Sequence, residues 1–164
     1  MTDKSAFTEE EWATLRRSPL VAGMAISIAD PGGPIEAVKE TAATLKTVTA
    51  AEAGDRGELA QAIARDAVAE ARERKNPLGG FRPSKGPTAG VEILDELREV
   101  NRVLSAKAAA EDADAVREWL LAAAQEAANA AKEGGFLGFH AERVSKGEQE
   151  MLDRLRDVLA ASPA

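Results

Sequence analysis

DADAVREWLLAAAQEAANAAKEGGFLGF, residues Asp112 to Phe139, decides the fold class of this chain. Val116, Leu120, Ala123, Ala127 and Ala130 recur at spacings of four and three, which puts them on one helical face. Trp119 and Ala131 widen that stripe, while Glu118, Gln125 and Glu126 lie off it. Alanine has the best helix propensity and no proline interrupts the run. Asp112 is placed to act as N-cap. Gly134 stands where a left-handed residue ends a helix, with Lys132 in the last turn to suit the dipole. About 22 residues of helix would span roughly 33 Å. A stripe of small side chains lets a neighbouring helix come close.

The chain has 164 residues, enough for one domain with a real core. Alanine occurs 35 times, whereas Phe and Trp together occur six times. The core is therefore expected from closely spaced helices and not from bulky aromatic filling. A net charge of −7 speaks against nonspecific nucleic-acid binding and against attraction to anionic membranes. The absence of cysteine excludes disulfides, thiolate metal sites and cysteine nucleophiles, and fits a cytoplasmic location. MTDKSAFTEEEW lacks the basic-then-apolar layout of a signal peptide. The longest apolar run, Leu20 to Ala29, is about half of what a bilayer needs.

The remaining segments predict further helices. Residues 1–6 are expected to fray. Thr8 and Glu11 have capping-box spacing, and Phe7 and Trp12 have the spacing of a hydrophobic staple. That first helix is expected to stop near Arg17, with Ser18-Pro19 restarting the chain as N-cap and N1. The next, Pro19 to about Ala29, is apolar nearly all round and should be buried; a strand over Ala25 to Ala29 is its rival. Asp30-Pro31-Gly32-Gly33 reads as a turn, in which Asp30 caps the turn or reaches the helix that follows. Further helices are expected from Pro34 to about Ala53, with Ile35, Val38, Ala42 and Leu45 at helical spacing, and from Asp55 or Arg56 to about Lys75, where Leu59, Ile63, Ala67 and Ala71 form a stripe widened by Val68. Another is expected from Thr88 to about Ala109, with Ile93, Leu97, Val100 and Leu104 at heptad-like spacing. A last one, introduced by a Ser145/Glu148 capping box, carries Met151, Leu152, Leu155, Val158 and Leu159 and runs to about Ala161. The fold class is thus all-α, a single helical domain over 7–161 with about seven helices.

Two segments look alike. Gly33-Pro34 and Gly86-Pro87 each open a helix, and Leu78-Gly79-Gly80-Phe81 and Leu137-Gly138-Phe139 each close a hairpin. They suggest an internal repeat, 33–81 and 86–139, forming a four-helix core.

No complete catalytic or metal constellation is present. KEGGFLGF follows a helix, whereas phosphate loops precede one, so it reads as a C-cap anchored by aromatics. Phe81, Phe136, Leu137, Phe139 and His140 are its candidate partner or ligand surface. His140 is the only histidine, too few for two Glu-x-x-His motifs of a di-iron bundle. No G-x-S-x-G elbow accompanies it. Ser84 to Thr88 precedes a helix but is not a Walker A motif. Glu92, Asp95, Glu96 and Glu99 share one helix and could pair carboxylates for Mg²⁺, but a solvated charged face is much the better explanation of them.

FTEEEW, ADPGGP at Ala29 to Pro34, KEGGFLGF at Lys132 to Phe139 and VSKGE at Val144 to Glu148 together resemble motifs of a set of small bacterial hypothetical proteins. That resemblance implies a recurring helical fold and no catalytic residue. His140-Ala141 stands where the group's pattern has two glycines. The sequence leads to a non-enzymatic helical protein that needs no cofactor and acts through association with itself or another protein. The alternatives are a Mg²⁺-dependent nucleotide hydrolase using the four acids, and a small-molecule binding protein with a pocket beneath Phe81, Phe136 and Phe139.

Overall fold

The computed structural model describes residues 2–29, 44–51, 54, 57–73, 75–132 and 144–160. All regular structure among them is helical. A 3₁₀ turn, Lys4–Ala6, precedes α1 (Glu9–Ala29), and residues 44–51 form α2. Then come α3 (Glu58–Arg72), α4 (Ala89–Lys107), α5 (Ala110–Lys132) and α6 (Lys146–Ala160). None of the described helices is long and apolar enough to cross a membrane. The all-α helical bundle is therefore as the residue patterns predict.

Helix starts follow local chemistry. Thr8 N–H donates to Glu11 Oε2 at 2.8 Å while Glu11 N–H donates to Thr8 Oγ1 at 3.2 Å. The same reciprocal pair joins Ser145 and Glu148 at the start of α6. The rings of Phe7 and Trp12 lie 5.7 Å apart, completing the staple before α1.

Three expectations give way to the structure. First, α1 does not stop at Arg17; it runs through Pro19 to Ala29 as one helix of 21 residues. Proline has no N–H to give the carbonyl four residues back. Ser18 Oγ donates to Leu15 O instead, at 2.7 Å, and the helix continues. The Ile-Ser-Ile alternation lies within this helix, so the rival strand is not formed.

Second, residues 2–6 do not fray. Asp3 accepts bonds from the Ser5 N–H and hydroxyl. Thr2 Oγ1 accepts the Ala109 N–H at 2.7 Å, and Thr2 N–H donates to Asp112 Oδ2 at 2.6 Å. Asp112 is therefore not the N-cap of α5, which begins two residues earlier; it anchors the start of the chain from within the first turn.

Third, the hub of the core is α1. It packs most extensively on α4 and α5, and also on α3 and α6. The consecutive helices α4 and α5 touch each other much less, so they do not form the tight hairpin expected of them. The reason lies in the long apolar surface of α1. Trp12, Leu15, Val21, Ala22, Ala25 and Ile26 are all buried, on several sides of the helix. Both proposed repeats, 33–81 and 86–139, include residues outside those described, as does Asp30.

The stripes on the other helices match their sequence periodicity. On α4 Ile93, Leu97, Val100 and Leu104 are fully buried, and on α5 Val116, Trp119, Leu120, Ala123 and Ala127 are. Each fully buried leucine contributes about 1.5–3 kcal/mol. On α3, however, only the first half of the stripe is enclosed. Leu59, Ala60, Ile63 and Ala64 are buried, whereas Ala67 and Val68 are half-buried and Ala71 is exposed.

Candidate functional site

The unenclosed half of α3 forms one wall of an apolar cleft. Ala67, Val68 and Ala71 face Leu45, Val48 and Thr49 of α2, with Leu20 of α1 and Pro77 completing the apolar part of the lining. Its volume is ≈ 480 Å³. Beyond Leu20 and Pro77 a second lobe of ≈ 300 Å³ continues between Gly23, Met24, Ser27, Thr44 and Leu78. These sizes fall in the range of roughly 300–1,000 Å³ that small-molecule sites occupy, and their lining has the expected apolar character.

Gly23 sets how close α2 comes to α1. A Cβ there would stand 2.2 Å from Thr44 Oγ1, so only glycine permits this crossing. The far end of the cleft is fixed by the loop after α3. Asn76 Oδ1 accepts the Leu78 N–H at 3.1 Å, and Asn76 Nδ2 donates to Gly79 O at 3.1 Å. Gly79 has φ +58, a value that suits glycine. The turn aims Leu78 and Phe81 back at the core, where both are half-buried.

The cleft has two charged lining residues, and both are cations, Arg72 and Lys75. Arg72 forms no ion pair among the described residues. Lys75 Nζ reaches Glu73 at 2.6 Å in a pair whose side chains are 61% and 59% exposed. That carboxylate holds the Lys75 ammonium above its usual pKa, so the cation is fully charged at neutral pH.

A second, polar hollow of ≈ 430 Å³ lies between the chain start and α3. Asp66 accepts bonds there from Lys4 Nζ at 2.6 Å and Trp12 Nε1 at 2.8 Å. Burial pushes the Asp66 carboxyl up, but these donors and Arg16 outweigh it and leave the pKa lowered. Lys4 and Trp12 thus satisfy Asp66 in this hollow, and the arrangement fastens the 3₁₀ turn to α3.

The four acids of α4 do not converge. Glu92 accepts the Ser84 N–H at 2.6 Å, and Asp95 pairs with Arg98 one turn on. Glu96 pairs with Arg17 of α1 at 2.6 Å, with both side chains largely buried. Glu99 takes Arg102 through two bonds, at 2.7 and 2.5 Å. Among the described residues no three His, Cys, Asp or Glu side chains are grouped to hold a metal ion. Glu70 of α3 meets Arg16 of α1 at 2.8 Å.

Of the aromatic surface read from the sequence, Phe81 packs against the core and does not line the cleft. Phe136, Leu137, Phe139 and His140 lie outside the described residues, as does Gly134. Of the residues that do line the cleft, Leu20, Leu45, Ala67, Val68 and Ala71 read from the sequence only as apolar helix faces. A signal was present in Val68, Ala71, Arg72 and Lys75, an apolar stripe giving way to cations at the end of one helix. Elsewhere, Trp119 Nε1 is buried on α5 with no hydrogen-bond partner among the described residues. No family model, curated protein or solved structure matches this chain.

Proposed function

We propose that this protein works by binding, and that the cleft between α1, α2 and α3 holds the apolar part of a small molecule. One observation carries the reading. Ala67, Val68 and Ala71 continue the core stripe of α3 into a cleft of ≈ 480 Å³ that no described side chain fills. A stripe left open beside Leu45 and Val48 gives up burial worth about 25 cal/mol per Å² of apolar surface, which a guest would recover. Support for association through a flat surface is thinner. Among the described residues only Leu45 and Val91 are large apolar side chains left exposed, at 42% and 56%. Leu45 already belongs to the cleft. The nucleotide-hydrolase reading gains nothing from Glu92, Asp95, Glu96 and Glu99, each of which is held by a donor of the chain itself or stands beside one.

Calorimetric titration of 1-octanol into the full chain tests the reading. Saturable binding is expected, and Ala71→Trp should abolish it by filling the cleft from an exposed position. No saturable heat, or equal binding to both proteins, would overturn it.

A further inference from the structure

The cleft is apolar along its walls but not at its end. Its two charged lining residues are Arg72, in the last turn of α3, and Lys75 just beyond it. Acidic residues outnumber basic ones 28 to 21 in this chain. An apolar cleft whose charged lining is wholly cationic therefore stands out against its background. The Arg72 guanidinium makes no ion pair among the described residues. The Lys75 partner, Glu73, is held only in an exposed pair, which water and salt weaken and which is readily exchanged for another anion. We infer that the guest is an anionic amphiphile, an alkyl carboxylate whose chain lies between Leu20, Val48, Val68 and Pro77 and whose carboxylate meets Arg72 and Lys75.

This assignment rests on the cleft being a binding site at all. Arginine suits the task because its planar fork meets a carboxylate through two parallel bonds. Lysine adds a point charge. Both cations also offset the negative end of α3, which by itself would repel a carboxylate. The apolar body would supply most of the affinity and the head group the selection among amphiphiles.

The test compares octanoate, 1-octanol and octylammonium, three guests with one chain length and different charge, titrated calorimetrically into the full chain at low ionic strength. Octanoate is expected to bind about tenfold tighter than octanol, the ratio that a single charge-assisted hydrogen bond supplies. Octylammonium should bind weakest. Arg72→Gln combined with Lys75→Gln should bring octanoate down to the octanol value and leave octanol unchanged. Both side chains are exposed, so the variant should fold, which circular dichroism checks. If octanol binds and octanoate binds no tighter, the cleft is a site but the anionic guest is refuted. An octanoate preference that survives in the double variant refutes the role of Arg72 and Lys75. If neither octanol nor octanoate binds, the cleft reading fails and this inference falls with it.

Discussion

Pro19 removes the backbone donor that would reach the Leu15 carbonyl in α1, and its ring crowds that same carbonyl. The Ser18 hydroxyl, fully buried and 2.7 Å from Leu15 O, supplies the missing bond. This pairing explains why Ser-Pro misleads as a helix start. Read by position, serine before proline looks like N-cap and N1. Which carbonyl the hydroxyl reaches depends on whether the preceding turn stays helical, and buried Trp12 and Leu15 hold it so. Ser18→Ala should therefore leave the Leu15 carbonyl unsatisfied at a cost of about 1–3 kcal/mol. In a chain of this size that is a fall in melting temperature of about 2–4 °C per kcal/mol. Pro19→Ala restores the donor, so Ser18→Ala in that background should cost much less. Thermal melts of the two single variants and the double variant measure the coupling. Equal costs in both backgrounds would show that the hydroxyl does not serve the proline.

Helices, unlike single residues, meet through their surfaces, and here the smallest side chains decide the approach. Gly23 carries no Cβ, and Thr44 of α2 occupies the space. Gly23→Ala brings two opposed effects. Helix propensity favours alanine by about 1 kcal/mol. The new methyl would lie 2.2 Å from Thr44 Oγ1 and 2.9 Å from its Cγ2, and Thr44 is only 2% exposed and already bonded, so moving it aside gives up its own packing and polar contact. Overpacking of this kind costs about 1–3 kcal/mol, and the clash should win. A lower melting temperature is expected, partly recovered when Thr44→Ala removes both obstructing atoms. If Gly23→Ala melts higher than the parent, the α1–α2 crossing is looser than the distances indicate. Periodicity alone revealed the apolar stripes of α4, α5 and α6, because each is enclosed along its length. The stripe of α3 was read equally well but its fate was not. A 3.6-residue repeat says which face is apolar, and only the positions of α2 and Pro77 say that half of that face lies open.

At the scale of the whole molecule, ion pairs carry the contacts that the apolar stripes cannot place. Arg16–Glu70 ties α1 to α3, while Arg17–Glu96 and Glu11–Lys107 tie α1 to α4. None of these was legible in the sequence, since their partners lie between 54 and 96 residues apart. The capping box at Thr8 and Glu11 was legible, because it is local, yet the same Glu11 also meets Lys107 at 2.5 Å. These bonds, to Lys107 and to the Thr8 N–H, lower the Glu11 pKa from 4.5 to about 2. Glu92, bonded to Ser84, and Glu99, bonded to Arg102, are lowered as well. A carboxylate with a depressed folded pKa binds fewer protons folded than unfolded. Its contribution is complete above the unfolded value of 4.5 and is lost as pH falls through the folded value. The melting temperature should therefore be nearly level from pH 7 to about 5, then decline steadily toward pH 2. Glu11→Gln should melt lower than the parent at pH 7 and show a shallower decline below pH 4.5, so that the two curves converge in acid. Glu11 is half-buried but its partner Lys107 is exposed, so salt reaches the pair: screening by 1 M NaCl should narrow the gap at pH 7. Curves that run parallel from pH 7 to pH 2 would mean that Glu11 titrates alike in the folded and unfolded chains, and that the bond between α1 and the end of α4 does not hold in solution.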